Sequence, residues 1–368
     1  MIKIAFLIHD LMGGGAEKVL VNMVNNLNPE KYDITVMTLF DEGVHKNSFN
    51  SNVHYKYFMK KSFNGNKYFF RSLTPEFWYK KVFGKEKYDI VVSYLEGTCA
   101  RVVSGCNDSK TVAWIHRERD ENGYKVCFKS KKEADEAYSS FDRIVCVAQS
   151  LKDNFSEHCP AFNKAEVLYN VNETDKIIEM SKEAVEETDL FDDGITTISF
   201  IGKILKEKGI FRLADIHKRL NEEKIPHRFL IMGVGEDTES VKAVLKENSC
   251  EENFVFLGFQ KNPYKYLAKS DMFVCSSFAE GFSTATTEAL ILGVPVVVTD
   301  CSGMNEMLCG NEYGILTEND DNALYEGIKK MVTDSELRKE YARKAEIRGK
   351  DFLTEKSVER IEKFFDEL

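Results

Sequence analysis

The chain has 368 residues, of which 43% are hydrophobic and 30% charged, and its net charge is −10. This balance is typical of a globular protein of two domains, and it excludes a disordered chain. The negative charge disfavours nucleic acid as a partner, and no apolar run reaches the roughly 20 residues of a membrane-spanning helix, so we expect a cytoplasmic protein.

Nine cysteines are present, and they form no Cys-x-x-Cys pair. Several lie inside apolar runs, which predicts buried free thiols in a reducing compartment rather than disulfides or a zinc site. Because no Asp-x-Asp follows a predicted strand and no His/Cys cluster occurs, we expect neither a metal ion nor a cofactor.

An apolar stretch opens the chain and leads into a glycine-rich turn. Met1–Asp10 is predicted to be a strand, Gly13–Gly15 follow it, and apolar residues recur at helical spacing from Ala16 until Asn28. This order is typical of the start of a Rossmann-like half. Glycines at a helix start leave backbone N–H groups for an anion such as a phosphate, although a plain tight turn explains them equally well.

The stretch from Tyr55 to Tyr88 combines positive charge with aromatic rings. It carries nine basic residues, ten interleaved aromatic residues and only two acidic ones, Glu76 and Glu86. This composition suits the headgroup region of an anionic membrane, which would fit an acceptor carried on a lipid. Two amphipathic helices with a solvated basic face explain it equally well. Single-stranded nucleic acid is the least favoured partner.

Strands and helices alternate through the rest of the first half. Further strands are predicted at Tyr32–Leu39, Tyr88–Tyr94, Thr111–Ile115, Arg143–Ala148 and Ala165–Val171. One of these strands runs directly into His116, and the carboxyl ends of parallel strands are where α/β proteins gather their functional side chains. His116 is therefore a candidate site residue, with a structural histidine as the alternative.

The same alternation restarts after a loosely patterned stretch, which places a domain boundary near 170–193. Ile195–Gly202 is predicted to be a strand that enters a loop with Lys203 and Lys208, and a helix follows. Taken alone, two lysines in a loop are most often solvated surface. Two further strands, Arg228–Gly235 and Asn253–Gln260, end in glycine-bearing turns.

Two glutamates with seven residues between them form the most informative motif of the chain. The apolar runs Met272–Cys275 and Val294–Val298 are predicted strands, and a helix is predicted near Ala285–Leu292. One carboxylate, Glu280, therefore lies in a loop, and the other, Glu288, lies on the helix.

The loop before that helix is rich in small and hydroxyl-bearing residues. Gly281 lets the backbone approach a ligand closely, and the hydroxyls of Ser283, Thr284, Thr286 and Thr287 lie beside free N–H groups at the helix start. Such a segment suits a polyhydroxylated ligand. The alternative is an exposed loop and helix with two surface acids.

The segment Glu280-Gly-Phe-Ser, with Glu288 and the Gly-Val-Pro-Val-Val run that follows, resembles the donor site of the retaining GT-B glycosyltransferases of family four. The triple glycine, Trp114-Ile-His116 and the Lys203 to Gly209 loop match further family motifs in the family's order, across nearly the whole chain. Lys203 stands where the family usually has arginine. A lysine supplies the positive charge but not the planar fork with which arginine contacts phosphate through two hydrogen bonds.

The resemblance implies an α/β protein of the GT-B fold, with two Rossmann-like domains facing a central cleft. It implies an acceptor domain at 1–170, a nucleotide-sugar domain at 171–350 and a C-terminal helix at 351–368 that packs back on the first domain.

The resemblance also implies roles for single residues. The catalytic residues would be Glu280 facing the transferred sugar, His116 close to the reacting sugar, and Lys208 on the donor pyrophosphate. Glu288 would hydrogen-bond the ribose. The remaining donor-binding residues implied are Gly14, Gly15, Lys203, Phe259, Gly281, Phe282, Ser283 and Thr284.

The implied reaction is a retaining, metal-independent transfer of a hexose from a nucleotide sugar to a glycan acceptor, with a lipid-linked acceptor favoured, in cell-surface polysaccharide synthesis. A UDP-sugar is favoured over a GDP-sugar. Two alternatives remain at this stage. A nucleotide-sugar 2-epimerase of the same fold would need no acceptor, and a non-catalytic companion subunit would be expected to have lost site residues.

Overall fold

The computed structural model describes residues 1–12, 14–118, 124–159, 162–186, 190–191 and 194–368. It consists of two compact units. The first contains Met1–Asn172 together with Thr354–Leu368, and the second contains Glu173–Leu353. Each unit is built on one parallel sheet flanked by helices, so the prediction of an α/β protein with two Rossmann-like halves is confirmed.

The sheet of the first unit has seven strands, in the spatial order β3-β2-β1-β4-β5-β6-β7. Its strands are β1 (Ile2–Ile8), β2 (Tyr32–Phe40), β3 (Val53–Met59), β4 (Ile90–Ser93), β5 (Lys110–Ile115), β6 (Arg143–Cys146) and β7 (Ala165–Val167). The central strands are buried along nearly their whole length, which is why they are continuous apolar runs. Because all pairs are parallel, the carboxyl ends of β1, β4 and β5 are neighbours at one edge of the sheet.

In the part of the chain that the structure describes, seven α-helices precede the second unit. They are α1 (Gly15–Asn26), α2 (Asn66–Arg71), α3 (Pro75–Phe83), α4 (Thr98–Val103), α5 (Tyr124–Cys127), α6 (Lys131–Ser140) and α7 (Gln149–His158). Thr74 caps α3 by accepting a hydrogen bond from the Phe77 N–H, and Pro75 stands in the first turn, where a missing N–H costs nothing.

The sheet of the second unit has six strands, in the spatial order β10-β9-β8-β11-β12-β13. They are β8 (Thr196–Ile201), β9 (His227–Met232), β10 (Phe254–Gly258), β11 (Met272–Cys275), β12 (Val296–Thr299) and β13 (Ile315–Thr317). The helices of this unit are α8 (Thr174–Ser181), α9 (Ile210–Glu222), α10 (Thr238–Glu247), α11 (Tyr264–Leu267), α12 (Thr284–Ile291), α13 (Met304–Leu308), α14 (Asp321–Thr333) and α15 (Ser335–Gly349).

The last helix, α16 (Thr354–Asp366), belongs to the first unit. Its Phe365 ring packs edge-on against the rings of Phe6 and Tyr32, with centroids 6.0 and 6.1 Å apart. The Tyr32 hydroxyl donates to an Asp366 carboxylate oxygen over 2.9 Å. Apolar packing and this partly buried hydrogen bond together fix the helix against β1 and β2.

All nine cysteines are free thiols. Five of them are buried, but the expectation of a buried set is wrong for Cys106, Cys127, Cys301 and Cys309. These four lie at or just beyond the ends of helices and strands, where the chain reaches the surface. Among the residues that the structure describes, no helix combines the length and the apolar composition needed to cross a membrane.

Candidate functional site

Glu280 and Lys208 form an ion pair at the carboxyl end of the second sheet. The Lys208 Nζ lies 2.8 Å from Glu280 Oε1, and the two side chains are 25% and 18% exposed. The hydroxyl of Ser277 donates to the same carboxylate oxygen over 2.7 Å. Since both donors use Oε1, the arrangement holds the carboxylate in place and leaves Oε2 for a ligand hydroxyl.

A close contact between two loops places Lys208 beside Glu280. Lys208 ends a short 3-10 turn, and Gly209 follows with φ +73°. A Cβ atom at Gly209 would collide with the carbonyl oxygen of Ser276, so only glycine lets the loops approach this closely. The Ser276 hydroxyl donates to the Lys208 carbonyl over 2.8 Å, and the Phe278 N–H donates to the Glu207 carbonyl over 3.0 Å.

Arg212 supports the same loops from α9. Its side chain is only 5% exposed, and its guanidinium lies 3.5 Å from the centroid of the Phe278 ring. It donates to the carbonyl of Ser276 over 3.3 Å and to the side-chain oxygen of Asn319 over 2.7 Å. The Asn319 amide in turn donates to the Phe278 carbonyl over 2.9 Å, so the loop before Glu280 is fixed at several backbone atoms.

The hydroxyls at the start of α12 are used within the helix cap. Ser283 is the N-cap residue and accepts from the Thr286 N–H, while Thr286 Oγ1 donates to Ser283 Oγ over 3.0 Å. Thr287 Oγ1 donates to the Ser283 carbonyl over 2.9 Å. The expectation that the hydroxyls of Thr286 and Thr287 face a ligand is therefore wrong, because both are buried and serve the cap.

The other predicted donor-site residues differ in exposure. Glu288 is on α12, as predicted, and is 2% exposed, with the Tyr264 hydroxyl 3.2 Å from its Oε1. Phe282 is 6% exposed, and its ring packs near that of Phe352. Phe259 is 70% exposed, as expected of a ring that a nucleobase could cover. Lys203 and Gly281 lie at the surface of the same sheet edge.

A second group of polar side chains lies in the first unit, at the ends of β4 and β5. His116 is 7% exposed, and its ring centroid is 4.8 Å from that of the fully buried Tyr94. The Glu96 carboxylate accepts hydrogen bonds from the backbone N–H groups of His116 and Arg117. Burial, helped by the Arg117 charge, lowers the pKa of His116 to about 3, so its imidazole is neutral near neutral pH.

Two atoms of this group have no hydrogen-bond partner among the described residues, His116 Nε2 and Tyr94 Oη. Buried polar atoms are rarely left without a partner, so these two atoms make this group a candidate site for a polar ligand. Sequence reasoning found His116 but missed Tyr94 and Glu96. Their position directly after β4, beside the strand that precedes His116, is the signal that could have found them.

His9 and Asp10 follow β1 and form a third polar element of this sheet edge. His9 Nδ1 lies 2.6 Å from the Asp10 carboxylate, which indicates that Nδ1 carries the proton. His9 Nε2 is buried and has no partner in the described part of the chain. Of the predicted glycine loop, Gly14 is the extended N-cap of α1 and Gly15 its first residue, while Gly13 lies outside the described residues.

In the described residues, no group of three or more His, Cys, Asp and Glu side chains is arranged to hold a metal ion.

Two family models match the chain in tandem. The model described as Glycosyltransferase Family 4 matches residues 13–176, and the model described as Glycosyl transferases group 1 matches residues 181–348. The chain belongs to the group 1 glycosyltransferases of family four. The two matches divide close to the boundary between the two units of this glycosyltransferase.

Individual relatives and solved structures agree with this assignment. The glycosyltransferase is 28% identical, over 96% of both chains, to the N-acetylgalactosamine-N,N'-diacetylbacillosaminyl-diphospho-undecaprenol 4-alpha-N-acetylgalactosaminyltransferase of Campylobacter jejuni. It is 27% identical to the lipopolysaccharide 1,6-galactosyltransferase of Escherichia coli, over 57% of this chain and 54% of the relative. Its fold is similar to that of Anabaena HepE in complex with UDP and glucose, with a TM-score of 0.80, 17% identity and full coverage of both chains. WaaG, a glycosyltransferase involved in lipopolysaccharide biosynthesis, gives a TM-score of 0.77 at 15% identity, over 97% of this chain and 99% of WaaG.

The structure adds one residue to the expected donor site of the glycosyltransferase. Ser277 is 2% exposed, and its carbonyl accepts a 2.6 Å hydrogen bond from Thr299 Oγ1 at the end of β12. Ser277 therefore connects the rigid sheet to the Glu280 carboxylate.

We expect the kcat of the Ser277→Ala variant to fall by about 10- to 150-fold, because a hydrogen bond to a charged group typically contributes about 1.5–3 kcal/mol. Steady-state kinetics should show the same fall in kcat for the single variant Glu280→Ala and for the double variant Glu280→Ala/Ser277→Ala, since Ser277 acts through Glu280. Thr286→Ala, which removes another buried hydroxyl of the same unit, is the matched control. Additive losses in the double variant would contradict this role of Ser277.

Proposed function

We propose that this glycosyltransferase moves a hexose from a UDP-sugar to a glycan acceptor carried on a lipid, in the synthesis of a cell-surface polysaccharide. The transfer retains the anomeric configuration, requires no metal ion, and takes place at the cytoplasmic face of the membrane. The names of the relatives support the acceptor class: one acts on a diphospho-undecaprenol-linked sugar and another on lipopolysaccharide. The HepE structure, which holds UDP and glucose, is similar in fold.

The Lys208–Glu280 pair is the observation that carries the proposal. A departing nucleoside diphosphate needs positive charge, and Lys208 supplies a cation in a partly buried position. A transferred sugar needs fixed hydrogen-bond acceptors for its hydroxyls, and Glu280 supplies one whose position is already set by Ser277. The N-terminus of α12 begins a few residues later and adds backbone N–H groups whose dipole favours an anion.

Retention is proposed to follow a front-face route. The bond from the sugar carbon to the diphosphate oxygen breaks, and the acceptor oxygen forms its new bond on the same face. The acceptor proton moves to the departing phosphate oxygen, so no protein base is needed. Glu280 acts as a hydroxyl anchor in this scheme, which its engagement with Lys208 and Ser277 supports.

The neutral His116 imidazole suits a contact with a sugar hydroxyl. Burial lowers the pKa of His116 and so keeps the ring uncharged, and the backbone carbonyl of Tyr94 accepts a hydrogen bond from the ring. Nε2, the nitrogen without a partner, then presents a lone pair to a hydroxyl donor. Lys203, Phe259 and the backbone of 281–284 complete the proposed donor contacts in the second unit.

A thermal-shift panel of nucleotides and nucleotide sugars, run with and without EDTA, tests the donor side. A donor at about 100 times its dissociation constant should stabilise the protein by about 2.7 kcal/mol. We expect UDP and one UDP-hexose to raise the melting temperature, and each ligand should give the same shift with EDTA as without it. A shift in melting temperature that EDTA abolishes, or one that only guanine nucleotides cause, would contradict the proposal.

The NMR spectrum of the product then tests retention, because the anomeric coupling constant distinguishes the two configurations. A product of inverted configuration would exclude the front-face route. Incubation with donor alone should leave the sugar unchanged, whereas a 2-epimer in that control would replace transfer with epimerisation.

A further inference from the structure

Glu288 is a carboxylate side chain that the second unit buries almost completely. It lies on α12, and only 2% of its surface is exposed. A carboxylate in such a position is unfavourable unless hydrogen-bond donors hold it. The hydroxyl of Tyr264, a residue that is itself 6% exposed, donates to Glu288 Oε1 over 3.2 Å. Tyr264 therefore helps to fix the direction in which the carboxylate points.

The short helix that carries Tyr264 is anchored at its start. α11 begins after Pro263, whose ring fixes the backbone φ angle at that point. The side-chain oxygen of Asn262 accepts from the Tyr264 N–H over 3.1 Å, and the Asn262 amide donates to the Met180 carbonyl over 2.8 Å. Because Met180 lies in the last turn of α8, these bonds tie the Tyr264 backbone to that helix, which limits the freedom of the hydroxyl to leave Glu288.

The segment that leads into α11 also carries Phe259, the exposed ring among the proposed donor contacts. Phe259 follows β10 directly, and Tyr264 is the first residue of α11, so one short stretch of chain carries both side chains. The side-chain amide of Gln260 donates to the Leu257 carbonyl over 2.6 Å and stiffens the turn after β10. Since a nucleobase and its ribose are covalently joined, contacts made from one stiff segment can recognise the two together.

We propose that Tyr264 is a positioning residue for recognition of the donor ribose. It orients the Glu288 carboxylate to accept hydrogen bonds from the ribose hydroxyls, and it thereby sets the preference of the site for ribonucleotides over 2′-deoxyribonucleotides. A carboxylate accepts in about four directions, so the bond from Tyr264 is compatible with bonds from a ribose. This role rests on the proposed function, since it takes the donor to be a nucleotide sugar whose ribose lies at Glu288.

Calorimetric titration of the full chain with UDP and with 2′-deoxy-UDP tests the proposal. We expect the native chain to bind UDP more tightly, because a site built to hydrogen-bond a hydroxyl discriminates against an analogue that lacks it. Tyr264→Phe should weaken UDP binding by roughly tenfold and 2′-deoxy-UDP binding by much less, so the ratio of the two dissociation constants falls. Adding Tyr264→Phe to Glu288→Ala should cause no further loss of UDP affinity, since Tyr264 acts through the carboxylate.

Steady-state kinetics provide a second measurement that a purely structural role would not move in the same way. A hydrogen bond to the ribose is made equally in the bound substrate and in the transition state. Tyr264→Phe should therefore raise the KM for the donor by about tenfold and leave kcat near its native value. A fall in kcat with an unchanged KM would contradict a role in ribose recognition.

Tyr325→Phe is the matched control, because it removes the same kind of bond from the same unit. Tyr325 is 2% exposed, and its hydroxyl donates to the carboxylate of Glu223, which follows the last residue of α9. The 13 residues of α9 span about 20 Å and separate Glu223 from the Lys208 loop at the other end of the helix. We expect the control to keep both native dissociation constants, and circular dichroism should show that all variants fold.

Equal weakening of UDP and 2′-deoxy-UDP binding in Tyr264→Phe, or an unchanged affinity for both, would overturn the proposal. So would the same fall in the ratio in Tyr325→Phe. Parallel titrations with GDP and 2′-deoxy-GDP separate this role from the proposed function. If only the guanine nucleotides bind, the choice of UDP is wrong, and the role of Tyr264 is decided by the ratio for the guanine pair. If neither pair binds the native chain, both the proposed function and the role of Tyr264 are excluded.

Discussion

Lys208→Ala should lower kcat/KM for sugar transfer by about 100- to 1,000-fold, the loss that follows removal of one preorganised group from a developing negative charge. The Lys208 ammonium is only 25% exposed and is held 2.8 Å from Glu280. Its removal takes away the cation proposed to stabilise the leaving diphosphate, and it leaves the Glu280 carboxylate with Ser277 as its one remaining side-chain donor among the described residues. Steady-state kinetics and calorimetric titration with UDP measure the two consequences.

The same 3-10 turn offers a matched control. Lys206 is exposed and lies two residues before Lys208, so Lys206→Ala makes the same chemical change without touching Glu280. We expect its kinetic constants to stay near those of the native enzyme and its affinity for UDP to be unchanged. Equal losses in both variants would point to a general effect of loop charge. An unchanged Lys208→Ala variant would remove Lys208 from the site.

The fold could be predicted from the sequence because both halves repeat one simple pattern of strand, loop and helix. Buried parallel strands are continuous apolar runs, and the strands at Ile2–Ile8 and Thr196–Ile201 each lead into a glycine-bearing loop and a helix. The exact ends of the strands and helices were harder to predict. The predicted strand Tyr88–Tyr94 is only Ile90–Ser93, although the N–H groups of Asp89 and Tyr94 still donate to carbonyl groups of β1 and so extend the pairing by one residue at each end.

Only some of the candidate site residues could be predicted from the sequence, and the reason is physical. Glu280, Glu288, Lys208 and His116 stand in motifs whose residues are close in the chain. Ser277, by contrast, acts through contacts with Thr299 and Glu280 that only the folded loops create. Thr286 and Thr287 show the opposite error, in which the sequence suggests a ligand contact that the structure does not have. A hydroxyl near a helix start can bond within the helix cap instead of to a ligand.

Two buried histidines make the second unit sensitive to acid. His217 on α9 and His227 on β9 are 0% and 2% exposed, and His217 Nδ1 lies 2.7 Å from His227 Nε2. His227 Nδ1 lies 2.7 Å from the Ile225 carbonyl oxygen, and His217 Nε2 lies 3.2 Å from the Asn221 amide nitrogen. A further proton on either ring would place a charge in the hydrophobic core.

Burial, reinforced by the neighbouring His227, lowers the pKa of His217 to about 4, and burial also lowers the pKa of His227. The carbonyl of Glu252, 2.9 Å from His217 Nε2, opposes the shift without reversing it. An unfolded histidine has a pKa near 6.5, so between about pH 6.5 and 4 the unfolded chain binds more protons than the folded unit. The contribution of His217 is therefore fully present above about pH 6.5 and is lost as the pH falls towards 4, at a cost of about 3 kcal/mol.

Hydrogen exchange of the amides in α9 and β9 measures this loss within the second unit. We expect their protection to fall steeply between about pH 6.5 and 4.5 in the native chain, once the intrinsic exchange rates are corrected for pH. In His217→Phe/His227→Phe, which removes both titrating rings, the corrected protection should be nearly independent of pH even if it is lower throughout. His54→Phe changes an exposed histidine of the first unit and should keep the native profile. If the double variant retains the native dependence on pH, groups other than His217 and His227 cause the acid sensitivity.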